Sequence, residues 1–390
     1  MGEDRHDSSL DRFLAPVEYI ETDVKEKEPE EGIALCLSGG GYRAMLFHLG
    51  SLWRLNELGY LKKLDRISSV SGGSITAAVL GMNWQKLEFD SIGVAREFKI
   101  QVVDPIRNLA TKTFDIESIL IGILSPGSIS DRVAEAYRKY LFGDTTLQDL
   151  PDDPPRFVIN ATNVQSGALW RFSKPYMRDW RVGEVKNPKI PLSVAVAASS
   201  AFPPFLSPLK LDLAGMEFTE DSGSDLQSAP YTTKIVLTDG GVYDNLGLET
   251  AWKRYKTILV SDAGGKMRAD PEPKSDWLGH MKRVLDLIDN QVRSLRKRQL
   301  IDSFKQGIRK GVYWSIRTNI KDYELSDAMD CPFKKTTELA NVETRLKELD
   351  DVTQERLINW GYAVCDAAMR THMDNAFSIP GSFPYPKSRV

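Results

Sequence analysis

The sequence predicts an α/β protein with a mostly parallel central sheet flanked by helices, followed by a C-terminal helical elaboration. Three observations predict it. An apolar run, Ile33–Leu37, meets a glycine turn and then a helix-period segment from Tyr42 to Leu58. A second run, Ile67–Val70, meets Ser71-Gly72-Gly73 and then the helical stretch SITAAVLGMNW. Two strand–glycine turn–helix units in succession argue for parallel strands covered by helices. Further strand candidates follow at Arg156–Ala161, Ala168–Phe172, Lys234–Thr238 and Thr257–Ser261.

The elements justify themselves in order. Residues Asp23–Glu31 (DVKEKEPEE) are charged and contain a proline, so 1–31 reads as a solvated tail and linker. A catalytic domain is expected over 32–265. Gly59 closes the first helix in the manner of a C-terminal cap. Ser130–Phe142 carries Val133, Ala136, Tyr137 and Tyr140 near one helical face. Leu213–Tyr231, rich in Ser, Asp and Gly, predicts a long loop. Residues 266–390 are expected to be mostly helical and to pack on the catalytic domain. Met281, Val284, Leu285, Ile288, Val292 and Leu295 recur at helical spacing within Trp277–Phe304, and a last helix is expected within Asn341–Met373. No repeat of solenoid length is visible.

Composition narrows the function. The 390 residues are 42% hydrophobic, and 51 basic side chains nearly cancel 54 acidic ones. Without a global basic field, nucleic acid is not the expected partner. Cys36, Cys331 and Cys365 are few and odd in number, which points to reduced thiols and a cytoplasmic setting. The opening MGEDRHDSSLDRF lacks the apolar stretch of a signal peptide, and after Met-Gly the expected hydroxyl residue near position six is replaced by Arg5 and His6. No run of about 18 apolar residues exists, so membrane contact is expected to be peripheral.

Three motifs carry chemistry. S-V-S-G-G places Ser71 at a sharp turn between strand and helix, with Ser69, Gly72 and Gly73 small enough to let the chain turn. This is the arrangement of a nucleophile elbow, with a helix N-terminus facing any developing negative charge. The first position of the usual G-x-S-x-G pattern is Ser69 here, and the alternative is a plain turn serine. S-G-G-G-Y-R sits at the other strand–helix junction. Gly39, Gly40 and Gly41 allow backbone amides to converge on an oxyanion, and Arg43 follows in the first helical turn, able to support the loop or an anionic head group. A solvent-facing arginine on a structural turn is the bland alternative. D-G-G places Asp239 at a strand end with Gly240 and Gly241 beside it, where α/β sites are built. Asp244 and Asp262 are competing carboxylates with structural readings.

Gly39-x-Gly41-x-x-Ala44 also fits a dinucleotide fingerprint. That reading needs an acidic residue at the end of the next strand, whereas Asp65 precedes the strand Ile67–Val70. The dinucleotide reading therefore ranks last.

The ordered set G-G-G-x-R, S-x-S-G-G and D-G-G resembles the patatin-like phospholipase family. AVAASSAFPPFLSP (Ala195–Pro208) and NATNVQSG (Asn160–Gly167) resemble its intervening segments, so the resemblance runs from Gly32 to Gly265. Ser38 stands where many members have aspartate, and Ala44 where many have glycine. The resemblance implies the patatin-like three-layer fold and a Ser–Asp dyad acting on lipid acyl esters, with phospholipids the expected substrates. Ser71 would be the nucleophile and Asp239 the proton acceptor, with Gly40 and Gly41 amides holding the oxyanion. Alternatives within the fold are a non-catalytic lipid-binding scaffold and an acyltransferase.

Four histidines remain. His6 lies in the tail, His48 inside the first helix, and a Ser–His–Asp triad would need His280 or His372, neither in a glycine or loop context. No clustered ligand spacing predicts a metal, and no cofactor is expected. Ile116–Leu124 and the basic run Arg293–Arg298 are the two candidates for contact with an anionic membrane, the first reading more readily as core. An unidentified activator is the remaining expected partner, since unchecked phospholipase activity damages a host membrane.

Overall fold

The structure is a computed structural model that describes residues 29–114 and 129–390, apart from 205, 266 and 268. The Ile116–Leu124 stretch and His6 lie outside the described residues.

Among the described residues ten strands form one sheet: β1 Glu30–Leu37, β2 Arg66–Ser69, β3 Arg156–Asn163, β4 Ala168–Phe172, β5 Tyr176–Asp179, β6 Gly183–Lys186, β7 Leu209–Asp212, β8 Lys234–Asp239, β9 Tyr255–Asp262 and β10 Lys310–Ser315. The order along the main path is β10-β9-β1-β2-β3-β4-β5-β6. Pairing is parallel from β10 to β3 and antiparallel beyond it, so the sheet is mixed and its parallel half is the one that carries both glycine turns. The strands β3–β6 are joined by short turns that permit antiparallel neighbours, whereas β1 and β2 need a helical crossover.

The helices are α1 Gly41–Glu57, α2 Gly72–Met82, α3 Asp104–Ala110, α4 Ile129–Tyr137, α5 Leu192–Ser199, α6 Gly241–Asp244, α7 Glu249–Trp252, α8 Trp277–Lys305, α9 Phe333–Ala340 and α10 Asp351–His372. Gly59 takes a left-handed φ of 61° after α1, and its amide returns to the Asn56 carbonyl.

β1 shows why its sequence is a continuous apolar run. Leu35 and Leu37 enter the large core beneath α1, α2 and α10, while Ala34 and Cys36 enter a smaller core formed with α7 and Leu300 of α8. A strand buried on both faces has no polar alternation. Helix–sheet–helix layering follows. The region beyond Gly265 shares this body: β10 extends the parallel half of the sheet, and α10 lies on α1 at near backbone contact. A Cβ at Gly50 would stand 1.9 Å from the Ile358 carbonyl oxygen, and one at Gly361 equally close to that of Phe47. Between these helices Arg54 and Arg370 both bind the buried Asp366. A buried carboxylate held by two guanidiniums is satisfied, and removing either partner leaves an uncompensated charge.

Candidate active site

The chain turns at Ser71 through a backbone conformation that side chains seldom adopt, φ 50° and ψ −120°. β2 ends at Ser69 and α2 begins at Gly72, so the turn is completed within two residues. The Ser71 hydroxyl does not cap the helix that follows; it acts instead on the Asp239 carboxylate, whose proton affinity it lowers. Small residues are required here by close approach. A Cβ on Gly72 would lie 2.1 Å from the Gly41 carbonyl oxygen, and one on Gly73 would lie 2.5 Å from that of Leu37.

A seryl network fixes the elbow. The Ser71 amide donates to Ser199 Oγ at 2.9 Å, and Ser199 Oγ shares a hydrogen bond of 2.9 Å with Ser74. Ser74 donates to Ser69 Oγ at 3.0 Å, and Asn160 Nδ2 donates to the Ser69 carbonyl at 2.9 Å. Such a network holds the turn in a conformation that costs about 1–3 kcal/mol.

β3 brings Ser71 and Asp239 together. Ser69 of β2 lies opposite Ile159, and Asp239 of β8 lies opposite Ala161. β4 occupies the other edge of β3 at these positions. β2 therefore runs parallel to β3 and β8 antiparallel to it along the same edge, and their C-terminal ends meet. Asp239 is anchored at every backbone atom that can bond: its amide donates to the Ala201 carbonyl at 2.9 Å, and its own carbonyl accepts from Thr162 Oγ1 at 2.8 Å. The Gly241 amide donates to Oδ1 at 2.6 Å.

Only 3% of Asp239 and 8% of Ser71 is exposed. Burial pushes the Asp239 carboxyl up to about 7, with the Gly241 amide and the Ser71 hydroxyl pulling the other way and Asp289 of α8 adding to the rise.

The glycine loop faces the same point. Gly39 sits against Ser71, where an added Cβ would be 3.2 Å from the serine Cβ and 2.3 Å from Asn245 Oδ1. The Gly39 amide is occupied, donating to the Asn245 carbonyl at 3.1 Å. The Gly40 and Gly41 amides have no hydrogen-bond partner among the described residues. The unengaged donors of the loop are thus those of Gly40 and Gly41, whereas that of Gly39 is spent. Gly240 and Gly241 hold the aspartate turn: a Cβ on Gly240 would stand 2.3 Å from the Asn160 carbonyl oxygen.

Arg43 is a clasp on the glycine loop. Its guanidinium is buried and ties the loop to two carbonyls, with Nε and Nη2 on Ala263 and Nη1 on Val342 at 2.6 Å. Burial lowers it to about 10. Of the two roles open to this residue, the structure shows the loop clasp, with Nε, Nη1 and Nη2 each donating to a backbone oxygen. His48 is likewise buried, bonded to Ser261 Oγ and the Ser38 carbonyl, and burial holds it neutral by lowering it to about 4. His280 is exposed on α8, and His372 packs against the Tyr323 ring at the end of α10. Asp244 accepts from the Leu246 and Glu249 amides, and Asp262 from the Gly264 amide and Tyr313. Neither competes with Asp239.

Residues 35–252 match the model of the patatin-like phospholipase family. The chain belongs to the patatin-like phospholipase family. Among curated proteins, "Putative meiotic phospholipase SPO1" of Saccharomyces cerevisiae is 26% identical over 147 residues, 35% of this chain and 22% of that one. Among solved structures, human GIVD cytosolic phospholipase A2 in complex with methyl gamma-linolenyl fluorophosphonate is 13% identical, covering 86% of this chain and 57% of that chain with a TM-score of 0.48. VipD from Legionella pneumophila is 16% identical, covering 89% and 67% with a TM-score of 0.37. The chain thus spans about a fifth of the length of the curated relative it matches.

Several site residues carried no mark in the sequence. Ser199 and Ser200 are adjacent serines in AVAASSAF, and only the fold shows which one meets the Ser71 amide. Asn245 is fixed by its approach to Gly39, and Asp289 by the path of α8. The basic run also divides. Arg293 turns inward to the Gly265 carbonyl and Arg296 to Asp244 and Glu249, leaving Lys297 and Arg298 exposed.

Proposed function

We propose that this protein hydrolyses carboxylic esters of lipids, phospholipids among them, through an acyl-enzyme on Ser71 with Asp239 as general base. The observation that carries the reading is the convergence of Ser71 and the buried Asp239 carboxylate at the C-terminal ends of β2 and β8, where the serine hydroxyl acts on a carboxyl whose affinity for protons is raised to about 7. An ordinary carboxylate near 4 is a weak base toward serine, and the raised value narrows that gap.

Ser71 Oγ attacks the ester carbonyl carbon as its proton passes to Asp239. The Gly40 and Gly41 amides stabilise the tetrahedral oxyanion. Collapse breaks the ester C–O bond, and Asp239 returns the proton to the leaving alcohol. Water then attacks the acyl-enzyme, giving its proton to Asp239, and the second collapse releases the fatty acid and reprotonates Ser71.

Such a substrate resides in a lipid phase, so peripheral contact with a membrane belongs to the same reading; among the described residues no helix is long and apolar enough to cross one. The three cysteines are free and buried, which supports a reducing, cytoplasmic setting.

The test compares wild type with Ser71→Ala on mixed phospholipid, measuring released fatty acids by mass spectrometry. Release by wild type that vanishes in the variant is the expected result. Equal release by both would remove Ser71 from the mechanism, and transfer of the acyl group to an added alcohol in preference to water would make the enzyme an acyltransferase.

A further inference from the structure

Helix α8 is built inside out. Its first five turns expose Trp277, Met281, Val284, Leu285, Ile288 and Leu295, which share one face at helical spacing. Trp277 is 72% and Ile288 52% exposed. The opposite face is turned to the protein and is polar. Arg293 there donates to the Gly265 carbonyl, Arg296 binds Asp244 and Glu249, and Asp289 comes close enough to raise the proton affinity of Asp239. A surface helix ordinarily does the reverse, packing its apolar stripe on the core. In α8 only the final turns are buried, through Leu300 and Ser303.

The apolar stripe does not stand alone. Val242, three residues past Asp239, is exposed, and so is Phe202, next to the Ala201 carbonyl that accepts the Asp239 amide. Apolar side chains therefore stand on two of the segments that hold the dyad and on the helix beside it. The charge pattern matches. The whole chain has a net charge of −3, yet α8 carries seven Lys and Arg against three Asp; with Arg293 and Arg296 turned inward and Lys282 paired to Asp286, the exposed cations are Lys297, Arg298 and Lys305. A helix with an apolar face and a basic polar face lies in the plane of a lipid interface, its apolar residues in the acyl boundary and its cations among anionic head groups.

We infer that the outward face of α8 is a docking surface for a lipid bilayer bearing anionic head groups, and that it seats the buried dyad at the membrane. This rests on the lipid-ester reading of the site. A second copy of the chain would also cover apolar residues, but the excess of like charge on α8 opposes pairing it with itself.

The test uses the full chain carrying Ser71→Ala, so that binding is read without hydrolysis. Vesicles of phosphatidylcholine with phosphatidylserine are pelleted with it, against pure phosphatidylcholine vesicles, and M281E/L285E/I288E is added in the same background. The expected result is binding that favours the anionic vesicles, weakens as salt rises, and falls at least about tenfold in the triple variant, since three buried apolar side chains are replaced by anions. Trp277 emission should shift to the blue on binding and be absent from the Trp277→Phe difference spectrum. With Ser71 intact, the triple variant should hydrolyse a monomeric short-chain ester at the wild-type rate while losing vesicle hydrolysis. Vesicle binding unchanged in the triple variant would overturn the proposal. So would a dimer that the triple variant abolishes, or a Trp277 shielded from acrylamide in vesicle-free protein, either of which puts another occupant on the face. Loss of the monomeric-ester reaction in the wild type would instead strike the dyad assignment and leave the docking result standing.

Discussion

The hydroxyl of Ser199 accepts the backbone amide of Ser71 at 2.9 Å and shares its other contact with Ser74. Through Ser74 the same chain of hydroxyls reaches Ser69, so both sides of the elbow hang on one side chain of α5. Ser199→Ala should leave a buried amide unpaired and lower stability by about 1–3 kcal/mol. Because the elbow aims the Ser71 hydroxyl, kcat should fall at least about tenfold with KM little changed, and Ser199→Thr should restore most of it. Equal kcat in Ser199→Ala and wild type, at matched folded fraction, would show that the elbow needs no such support.

The raised proton affinity of Asp239 fixes a pH profile. A general base works deprotonated, so kcat/KM should rise with pH through an acid limb centred near 7. Asp289 adds to that rise, so Asp289→Asn should move the limb toward lower pH. A limb near 4, unaffected by Asp289→Asn, would detach the profile from Asp239.

Burial of that carboxyl also has a cost in stability. Its folded value lies above its unfolded one, so the folded state is penalised progressively as pH rises from about 4 to about 7 and uniformly above. Asp239→Asn should therefore be more stable than wild type at pH 8, by on the order of a few kcal/mol, with the advantage shrinking toward pH 4. Thermal melting of the pair across that range measures it.

The left-handed backbone at Ser71 predicts an exchange of activity for stability. Glycine adopts this conformation without strain, so Ser71→Gly should melt above Ser71→Ala by an amount corresponding to about 1 kcal/mol while both are inactive. A lower melting point for the glycine variant would mean that the turn stores no strain.

Arg43 offers a contrast between clasp and ligand. Arg43→Met should leave the Ala263 and Val342 carbonyls without their donor and lower stability by about 1–3 kcal/mol. The preference among phospholipid head groups should be unchanged. A shifted preference would return Arg43 to the substrate.

Much of this was legible before the fold. Strand–glycine–helix punctuation marks both turns that meet at the site, and the double-sided burial of β1 explains why its apolar run identified a central strand. What was not legible depends on tertiary placement. The amphipathic period of α8 establishes that it is a helix but not which face turns inward, since the same spacing serves a core and an interface. Ser199 was indistinguishable from Ser200, and Arg43 from a ligand-binding arginine, until their partners were known. The antiparallel half of the sheet was hidden because short strands alone do not reveal their pairing direction.

The end-to-end meeting of β2 and β8 along β3 has a consequence for biosynthesis. A chain emerging from the ribosome presents Ser71 long before β8 and its Asp239 have been made. Reactivity is thereby postponed until a distant strand has closed a large loop, the slowest kind of event in assembling a sheet. On the proposed mechanism the dyad is therefore incomplete until β8 has been made, and its assembly is timed by strand order.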